Sequence, residues 1–300
     1  MDDAIYSCYK TAGKIASQAR DYGIKLVKEG VCYLEVVNDI ESKILKNGAK
    51  LAFPVNISIN DIAAHFTPSH NDVDLVFRKG DVVKVDVGAH IDGYIADTAA
   101  TCEIGNTNYS DMLKASREAL DNAIGLMKAN VNLLNIGKVI KDTIESYGFK
   151  SIDNLTGHSL ERYNLHSGLS VPNVPSGTGI IKPKVDDVLA IEPFATDGEG
   201  HVTSGNSSNI YISSKSIKSK FIRDSRTRLF AMKIRRRFNT LPFAERWCAD
   251  LFSNTDIILK RLLFAGCIKQ YPQLIDAKNG IVTQTEHTVI VMEDGCEVIT

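Results

Sequence analysis

The sequence predicts an α+β fold in which helices pack on one side of a mostly antiparallel sheet. Three observations support this prediction. Amphipathic helices come in pairs, a hairpin of β-branched residues separates the first pair from the second, and the second half opens with short apolar strands. A chain of 300 residues can bury a substantial core, as one large domain or two smaller ones.

The helices of the first half follow from apolar residues spaced three and four positions apart. This spacing predicts helices over residues 3–27, 33–46, 109–128 and 135–147. Gly48 provides a stop for the second of them. Each pair of helices is expected to cover strands.

Short apolar segments predict the remaining strands. Residues 51–60 contain Pro54, which favours an edge strand or an interrupted one. His65 follows directly, at the end of a strand or in a turn. In the second half, strands are expected over residues 152–160, 188–195, 209–213 and 281–292.

Residues 82–101 are the segment around which the prediction is built. Two antiparallel strands are expected, joined by a turn over residues 88–93, with Asp86 closing the first strand and Asp97 within the second. The hairpin would then bring both carboxylates to one face. Buried carboxylates need a partner, because they lose their hydration. Lys84 could supply an ion pair; a divalent cation such as Mn, Fe(II), Co or Zn is the alternative.

Three further residues could complete a metal site with these two aspartates. His158 follows a glycine that allows close backbone approach, whereas Glu192 and Glu286 are acids inside otherwise apolar strands. Recurring acids in strands with few cations are poorly explained by ion pairs alone. His65 and His166 lie in turn-like contexts, and each taken singly is more often a structural histidine.

Composition excludes several classes of protein. A net charge of −1 gives no overall preference for nucleic acid or membrane, and no apolar run approaches the ~20 residues of a membrane-spanning helix. The start, Met1-Asp2-Asp3, is acidic where a signal peptide would be basic. Six cysteines without any CxxC spacing suggest reduced thiols. We therefore expect a cytoplasmic protein, by default a monomer.

The composition changes after residue 213. Residues 215–261 contain 13 Lys or Arg and 4 Asp or Glu, and helices are expected over residues 229–237, 241–252 and 257–267. We interpret this region as a helical insertion between two strands. Its basic face is either solvated surface or a contact for an acidic partner such as ribosomal RNA.

Several segments resemble the type II methionine aminopeptidases, in order along nearly the whole chain. They are residues 63–68, 85–93, 95–99, 157–159, 191–194, 239–247 and 284–288. The resemblance implies the pita-bread fold: two pseudo-symmetric halves, each with a helix pair over strands, around a central antiparallel sheet. It also implies a catalytic domain of residues 1–213 and 273–300 with an insertion of residues 214–272. The chain lacks a charged N-terminal extension, and in this respect it resembles the archaeal-type members.

The resemblance also implies two divalent ions (Co, Mn, Fe(II), Zn or Ni) and a role for each site residue. Asp86 would hold one ion, Asp97 and Glu286 would bridge the two, and His158 and Glu192 would hold the other. Glu192 would also move a proton. The substrate would be lined by His65, His166, Phe53 and Leu165.

The implied activity is removal of the N-terminal methionine from nascent polypeptides by a metal-bridged hydroxide, with a preference for a small second residue. Two alternatives stay open. An Xaa-Pro peptidase of the same fold would use similar ligands, and a non-catalytic homologue would bind ribosomes or nucleic acid. The segment 63–68 and the insertion argue against the first, and the complete ligand set argues against the second.

Overall fold

The computed structural model describes residues 1–176, 180–214 and 224–300. Its helices begin and end as follows: α1 (Asp3–Leu26), α2 (Tyr33–Lys46), α3 (Ser110–Leu126), α4 (Leu133–Ser146), α5 (Ser225–Phe238) and α6 (Thr255–Phe264). The four helices predicted in the first half are confirmed to within two residues at each end. None of the described helices is long and apolar enough to cross a membrane.

The strands are short, and every pairing among them in the described residues is antiparallel. They are β1 (Lys50–Leu51), β2 (Asn56–Ile59), β3 (Ile62–Ala64), β4 (Val82–Ile91), β5 (Tyr94–Glu103), β6 (Lys150–Ser151), β7 (Thr156–Ser159), β8 (Ser170–Pro172), β9 (Val188–Ile191), β10 (Phe194–Thr196), β11 (Val202–Ser213), β12 (Phe243–Ala244), β13 (Ile268–Asp276), β14 (Val282–Gln284), β15 (His287–Val291) and β16 (Cys296–Val298).

The central hairpin, β4 and β5, is longer than predicted. The expected turn over residues 88–93 is wrong, because pairing continues to Ile91 opposite Tyr94 and Asp86 lies inside β4 rather than at its end. Asp92 and Gly93 alone make the turn, and both have the positive φ that a two-residue hairpin turn requires. β1 and β2 pair with the other side of β4, so the interrupted edge strand is confirmed.

Two of the strands predicted in the second half are broken. Residues 188–195 form β9 and β10 with Glu192 and Pro193 between them, and residues 281–292 form β14 and β15 with Thr285 and Glu286 between them. The break at Pro193 follows from its missing backbone N–H. Both breaks leave an acidic side chain outside regular pairing, at the places where acids were predicted inside strands.

The fold consists of two helix-on-sheet halves. In the first, α1 covers β4 and β5, while α2 packs against α1, β1 and β2, and the core between them includes Ile40 and Val85. In the second, α3 and α4 cover a core that includes Leu189 of β9 and Val289 of β15. A bridge between Ala99 and Glu286 joins the halves. The predicted α+β architecture is confirmed.

The insertion is less helical than predicted. The expected helix over residues 241–252 is wrong: β12 pairs with β11, and a short 3-10 helix, Glu245–Cys248, follows it. Tertiary contact overrides local helix propensity here, because Phe243 stacks on Phe238 at 4.6 Å and on Tyr211 at 5.9 Å. Residues 215–223, where the basic region was predicted to begin, lie outside the described residues.

The boundary predicted before residue 273 falls within β13, which pairs with β11 from Ile268 onward. The first residues of β13 thus lie in the predicted insertion, although they pair with β11, the strand that precedes the insertion. The division into a catalytic domain and an insertion stays a prediction.

Candidate functional site

Asp86 and Asp97 lie on the same face of the central hairpin. Asp86 is paired with Ala99 and Asp97 with Gly88, so the two acids are diagonal neighbours across β4 and β5. Asp97 is 4% exposed, and nothing in its own strand compensates a charge there. The prediction that the hairpin brings both carboxylates together is confirmed.

Lys84 does not neutralise either aspartate. Its side chain is fully buried, and its ammonium donates a hydrogen bond to the carbonyl oxygen of Asn60 at 2.7 Å. Burial lowers the pKa of Lys84 to about 7, while the nearby Asp61 and Asp81 raise it. The ion-pair alternative for Asp86 and Asp97 is therefore not the arrangement that the structure has.

The second half of the chain brings three more donor groups to the same place. Nε2 of His158 lies 3.7 Å from Oδ2 of Asp97 and 3.7 Å from Oε1 of Glu192. One donor atom each from Asp97, His158 and Glu286 all lie within 4.8 Å of one another. The donors thus come from β5, β7 and the two strand breaks, far apart in sequence.

Backbone contacts across the two halves fix these positions. The hydroxyl of Thr98 donates to the carbonyl oxygen of Glu286 at 2.8 Å, and the hydroxyl of Thr288 donates to that of Asp97 at 2.7 Å. A side chain at Gly157 would meet the carbonyl oxygen of Ala190 at 2.2 Å, so glycine is required for β7 to approach β9.

The acids of this cluster have little countercharge: burial raises the pKa of Glu286 by more than Arg20 lowers it. Burial raises the pKa of Asp86 to about 7. Burial, reinforced by the neighbouring carboxylates, raises the pKa of Asp97, Glu192 and Glu286 well above their ordinary values. Burial also lowers the pKa of His158 to about 3, so its imidazole is neutral and able to act as a ligand.

Three of these carboxylates have an oxygen with no hydrogen-bond partner: Oδ1 of Asp86, Oδ1 of Asp97 and Oε1 of Glu286. Within the described ranges no Lys or Arg forms an ion pair with a carboxylate of the cluster. Orphaned buried oxygens next to a neutral imidazole match the hard, mixed O/N donor set that divalent transition ions accept. The residues present therefore fit a metal centre.

The cluster lines part of a cavity that opens to solvent, with a volume of about 500 Å3 when the open space is included. His65 lies in its wall with a φ of 66°, and Nδ1 of its ring is 3.3 Å from the carbonyl oxygen of Pro272. Burial lowers the pKa of His65 to about 4, so the ring is neutral. The ring of His166 lies 4.3 Å from that of His158, on the same cavity. Both histidines are thus next to the donors.

The apolar wall of the cavity includes Phe53 and Leu165, the two residues expected to contact substrate. The structure adds residues that sequence analysis missed: Asn56, Ala64, Ile210, Pro242 and Tyr271. Asn56 could have been predicted only with the register of β2 against β4, which places it opposite Asp86. The others come from segments whose local pattern gives no signal of a cavity.

Gln284 is a further residue at the site that sequence analysis did not assign. Its Nε2 donates a hydrogen bond to Oε2 of Glu192 at 3.2 Å. Its backbone is held by Thr101, whose hydroxyl donates to the carbonyl oxygen of Gln284 at 2.6 Å and accepts from its N–H at 2.9 Å. Gln284 therefore fixes one oxygen of Glu192.

A buried cluster of acids and one histidine in an α+β fold of two matched halves defines a class of metallopeptidase. Residues 7–235 match the metallopeptidase family M24, and the chain belongs to this family.

The relatives define the kind of peptidase more closely. The chain is 47% identical to the methionine aminopeptidase of Methanocaldococcus jannaschii, over 96% of each chain. It is 43% identical to that of Pyrococcus abyssi, over 96% of this chain and 97% of the other. The resemblance to methionine aminopeptidases is confirmed.

Solved structures share the fold at low sequence identity. The methionine aminopeptidase of Thermotoga maritima aligns with a TM-score of 0.73 at 21% identity, over 100% of this chain and 98% of the other. A thermophilic Arx1 aligns with a TM-score of 0.86 at 17% identity, over 100% and 91%. The prolidase of Pyrococcus furiosus aligns with a TM-score of 0.63 at 17% identity, over 100% and 64%. These likenesses confirm the fold.

Proposed function

We propose that this protein is a methionine aminopeptidase that uses two divalent metal ions to release the N-terminal methionine of peptides. One observation carries the proposal: all the predicted ligands and both predicted substrate histidines line one cavity. Relatives that bear this name are 40–47% identical over nearly the full chain.

In the proposed centre, Asp86 would hold one ion, His158 and Glu192 would hold the other, and Asp97 and Glu286 would serve both. The contacts between His158 and both Asp97 and Glu192 support the grouping. Bound ions of this kind supply Lewis acidity, which acidifies a water and polarises the carbonyl of the scissile bond. Mn, Fe(II), Co, Ni or Zn would suit this donor set.

Glu192 is proposed to move the proton from the attacking water to the leaving amine. Burial and the nearby Asp86 raise the pKa of Glu192 well above its ordinary value, so its carboxylate takes up a proton more readily than an exposed one. Gln284 occupies one carboxylate oxygen and keeps the other, 3.7 Å from His158, directed at the cluster. The carboxylate therefore has one defined orientation.

His65 and His166 are proposed to bind the substrate, with His166 at the carbonyl oxygen and at the oxyanion that replaces it. If Nδ1 of His65 donates to the carbonyl oxygen of Pro272, its Nε2 accepts a hydrogen bond rather than donates one. A neutral His65 would then orient the substrate N–H, whereas His166 would supply the donor to the oxyanion. Phe53 and Leu165 are proposed to contact the methionine side chain.

The decisive experiment measures methionine release from Met-Ala-Ser and cleavage of an Xaa-Pro peptide by the same preparation, with metal content determined by elemental analysis. We expect release of methionine, dependence on a divalent ion, and poor turnover when the second residue is large. Preferred cleavage of the Xaa-Pro peptide would identify the alternative enzyme, whose fold is shared with the prolidase. Bound peptide without turnover in metal-loaded protein would identify a non-catalytic homologue.

The cellular context belongs to the same proposal. We expect a cytoplasmic monomer that acts on nascent chains, in which residues 214–272 form an insertion of the type II branch. Basic residues of α5 such as Arg235 make this region a candidate for ribosome contact. Co-sedimentation with ribosomes at rising salt tests the contact, since phosphate binding weakens as salt increases.

A further inference from the structure

A second, larger cavity lies behind one wall of the site. It opens to solvent, and its volume with the open space included is about 1270 Å3. Its lining comes from α2, β1, the end of β4, Tyr163 and the segment from the end of α5 to Trp247. Pro242 lines both cavities, so the two are adjacent at this residue. Neither the proposed metal ligands nor the substrate histidines contribute to this second cavity.

The cationic groups of the second cavity outnumber its available carboxylates. Lys50, Arg236 and Arg237 line it, together with one acid, Glu41. Arg237 is paired with Asp250 at 2.6 Å. Among the described residues, neither Lys50 nor Arg236 has an acidic partner within ion-pair distance.

Glu41 does not offset these charges, because its carboxylate is already occupied. Arg246 forms an ion pair with Oε1, the indole N–H of Trp247 donates to Oε2 at 2.8 Å, and the N–H of Val55 donates to Oε1 at 3.3 Å. The side chain is 8% exposed. The field in the cavity is therefore positive. Lys50 contributes to it, since it adds to burial in lowering the pKa of His90.

Flat aromatic surfaces accompany the positive charge. Phe238 and Trp247 lie side by side, with ring centroids 6.0 Å apart and planes inclined by 31°. The bond from Trp247 to Glu41 fixes the indole, and Tyr163 packs its ring against His90 at 5.5 Å. The ring of Phe238 is already covered by Phe243, which stacks on it at 4.6 Å, and by the guanidinium of Arg237 at 5.4 Å, so Trp247 is the ring that offers a planar ligand a surface on which to stack.

We propose that the second cavity binds a nucleoside phosphate. The phosphate would contact Lys50 and Arg236, and the base would stack on Trp247. The amide side chains of Asn38 and Asn239 and the hydroxyl of Ser42 also line the cavity, and such groups can bond the polar edge of a base. Phosphate on unpaired cations beside aromatic faces is the combination that recognises nucleotides.

A simpler role for two of the arginines needs no ligand. Arg236 and Arg237 lie in the last turn of α5, where a positive charge counters the helix dipole. Lys50 separates the two explanations, because it belongs to β1 and has no part in that helix. If the two arginines only counter the helix dipole, there is no reason for nucleotide binding to depend on Lys50.

The chain has a single tryptophan, Trp247, and this residue lines the second cavity. Its fluorescence therefore reports on occupancy directly. We would titrate ADP into the protein with excitation at the red edge of the indole band. The titration would be done on the metal-loaded and on the chelator-treated protein, since phosphates also bind metal centres. The proposal expects a saturable change with the same midpoint in both forms.

Variants test the assignment of the contacts. Lys50→Ala and Arg236→Ala should each weaken ADP binding at least about fivefold, because each removes a charge-assisted contact. Arg226→Ala removes an equally exposed cation from the opposite end of α5 and should leave the midpoint unchanged. Unfolding temperatures of the three variants would show that each has folded. Adenosine and pyrophosphate alone should bind more weakly than ADP.

Three outcomes would overturn the proposal: no saturable change at millimolar ADP, equal binding by Lys50→Ala and wild type, or an equal loss in Arg226→Ala. A 5′-phosphorylated oligoribonucleotide distinguishes two sources of the ligand. Binding as tight as ADP would place the end of an RNA strand there, and binding of ADP alone would indicate a free nucleotide. The result is independent of peptidase activity.

Discussion

Replacing Asp86 by Asn should stabilise the metal-free protein at alkaline pH. The carboxyl of Asp86 has its pKa raised by burial from 3.8 to about 7, so the folded state binds a proton that the unfolded state has lost between these values. Stability of the metal-free protein therefore falls as pH rises from about 4 to about 7. The shift corresponds to about 4 kcal/mol above pH 7, and the isosteric amide removes this penalty.

The assay is urea unfolding of chelator-treated protein between pH 5 and pH 8.5, with Asp74→Asn on an exposed loop as the control. We expect wild type and Asp74→Asn to lose stability as pH rises and Asp86→Asn to lose less. Divalent metal should reverse the order, because only the intact ligand set gains stability by binding it. A pH dependence in Asp86→Asn identical to that of wild type would refute the reasoning.

Three further substitutions test the proposed roles. Asp97→Ala should lose at least one bound metal and nearly all turnover; full activity with two metals would contradict a bridging ligand. His166→Ala should lower kcat by about 100-fold or more, as for loss of an oxyanion donor, with metal content unchanged; loss of metal would make it a ligand. Gln284→Leu should lower kcat and shift the pH profile, because Glu192 loses the donor to Oε2; a change in KM alone would argue against positioning.

The acids of the proposed ligand set stood out in the sequence because they lie in apolar segments. Glu192 and Glu286 are acids in apolar segments, and burying such groups requires compensation. The strand breaks that free them were less predictable. Pro193 indicates one break, but nothing in the sequence marks the other at Glu286, where the pairing with Ala99 replaces the sheet ladder.

The insertion shows where secondary structure cannot be predicted from the local sequence pattern. Residues 241–252 have helical spacing, yet Phe243 joins β11 because its ring stacks between Phe238 and Tyr211. Pairing of this kind depends on residues about 30 positions away, which local propensity does not contain. The same limit applies to Tyr271 and Pro242, which reach the cavity only through the pairing of distant strands.

The donor atoms are divided between the two helix-covered halves, with Asp86 and Asp97 in one and His158 in the other. A bound ion would therefore act as a cross-link, and its release and the separation of the halves would be thermodynamically coupled. Removal of the metal should then destabilise the contact between the two halves before it destabilises either hydrophobic core. Limited proteolysis would be expected to cut first where the halves meet, near the strand break at Glu286.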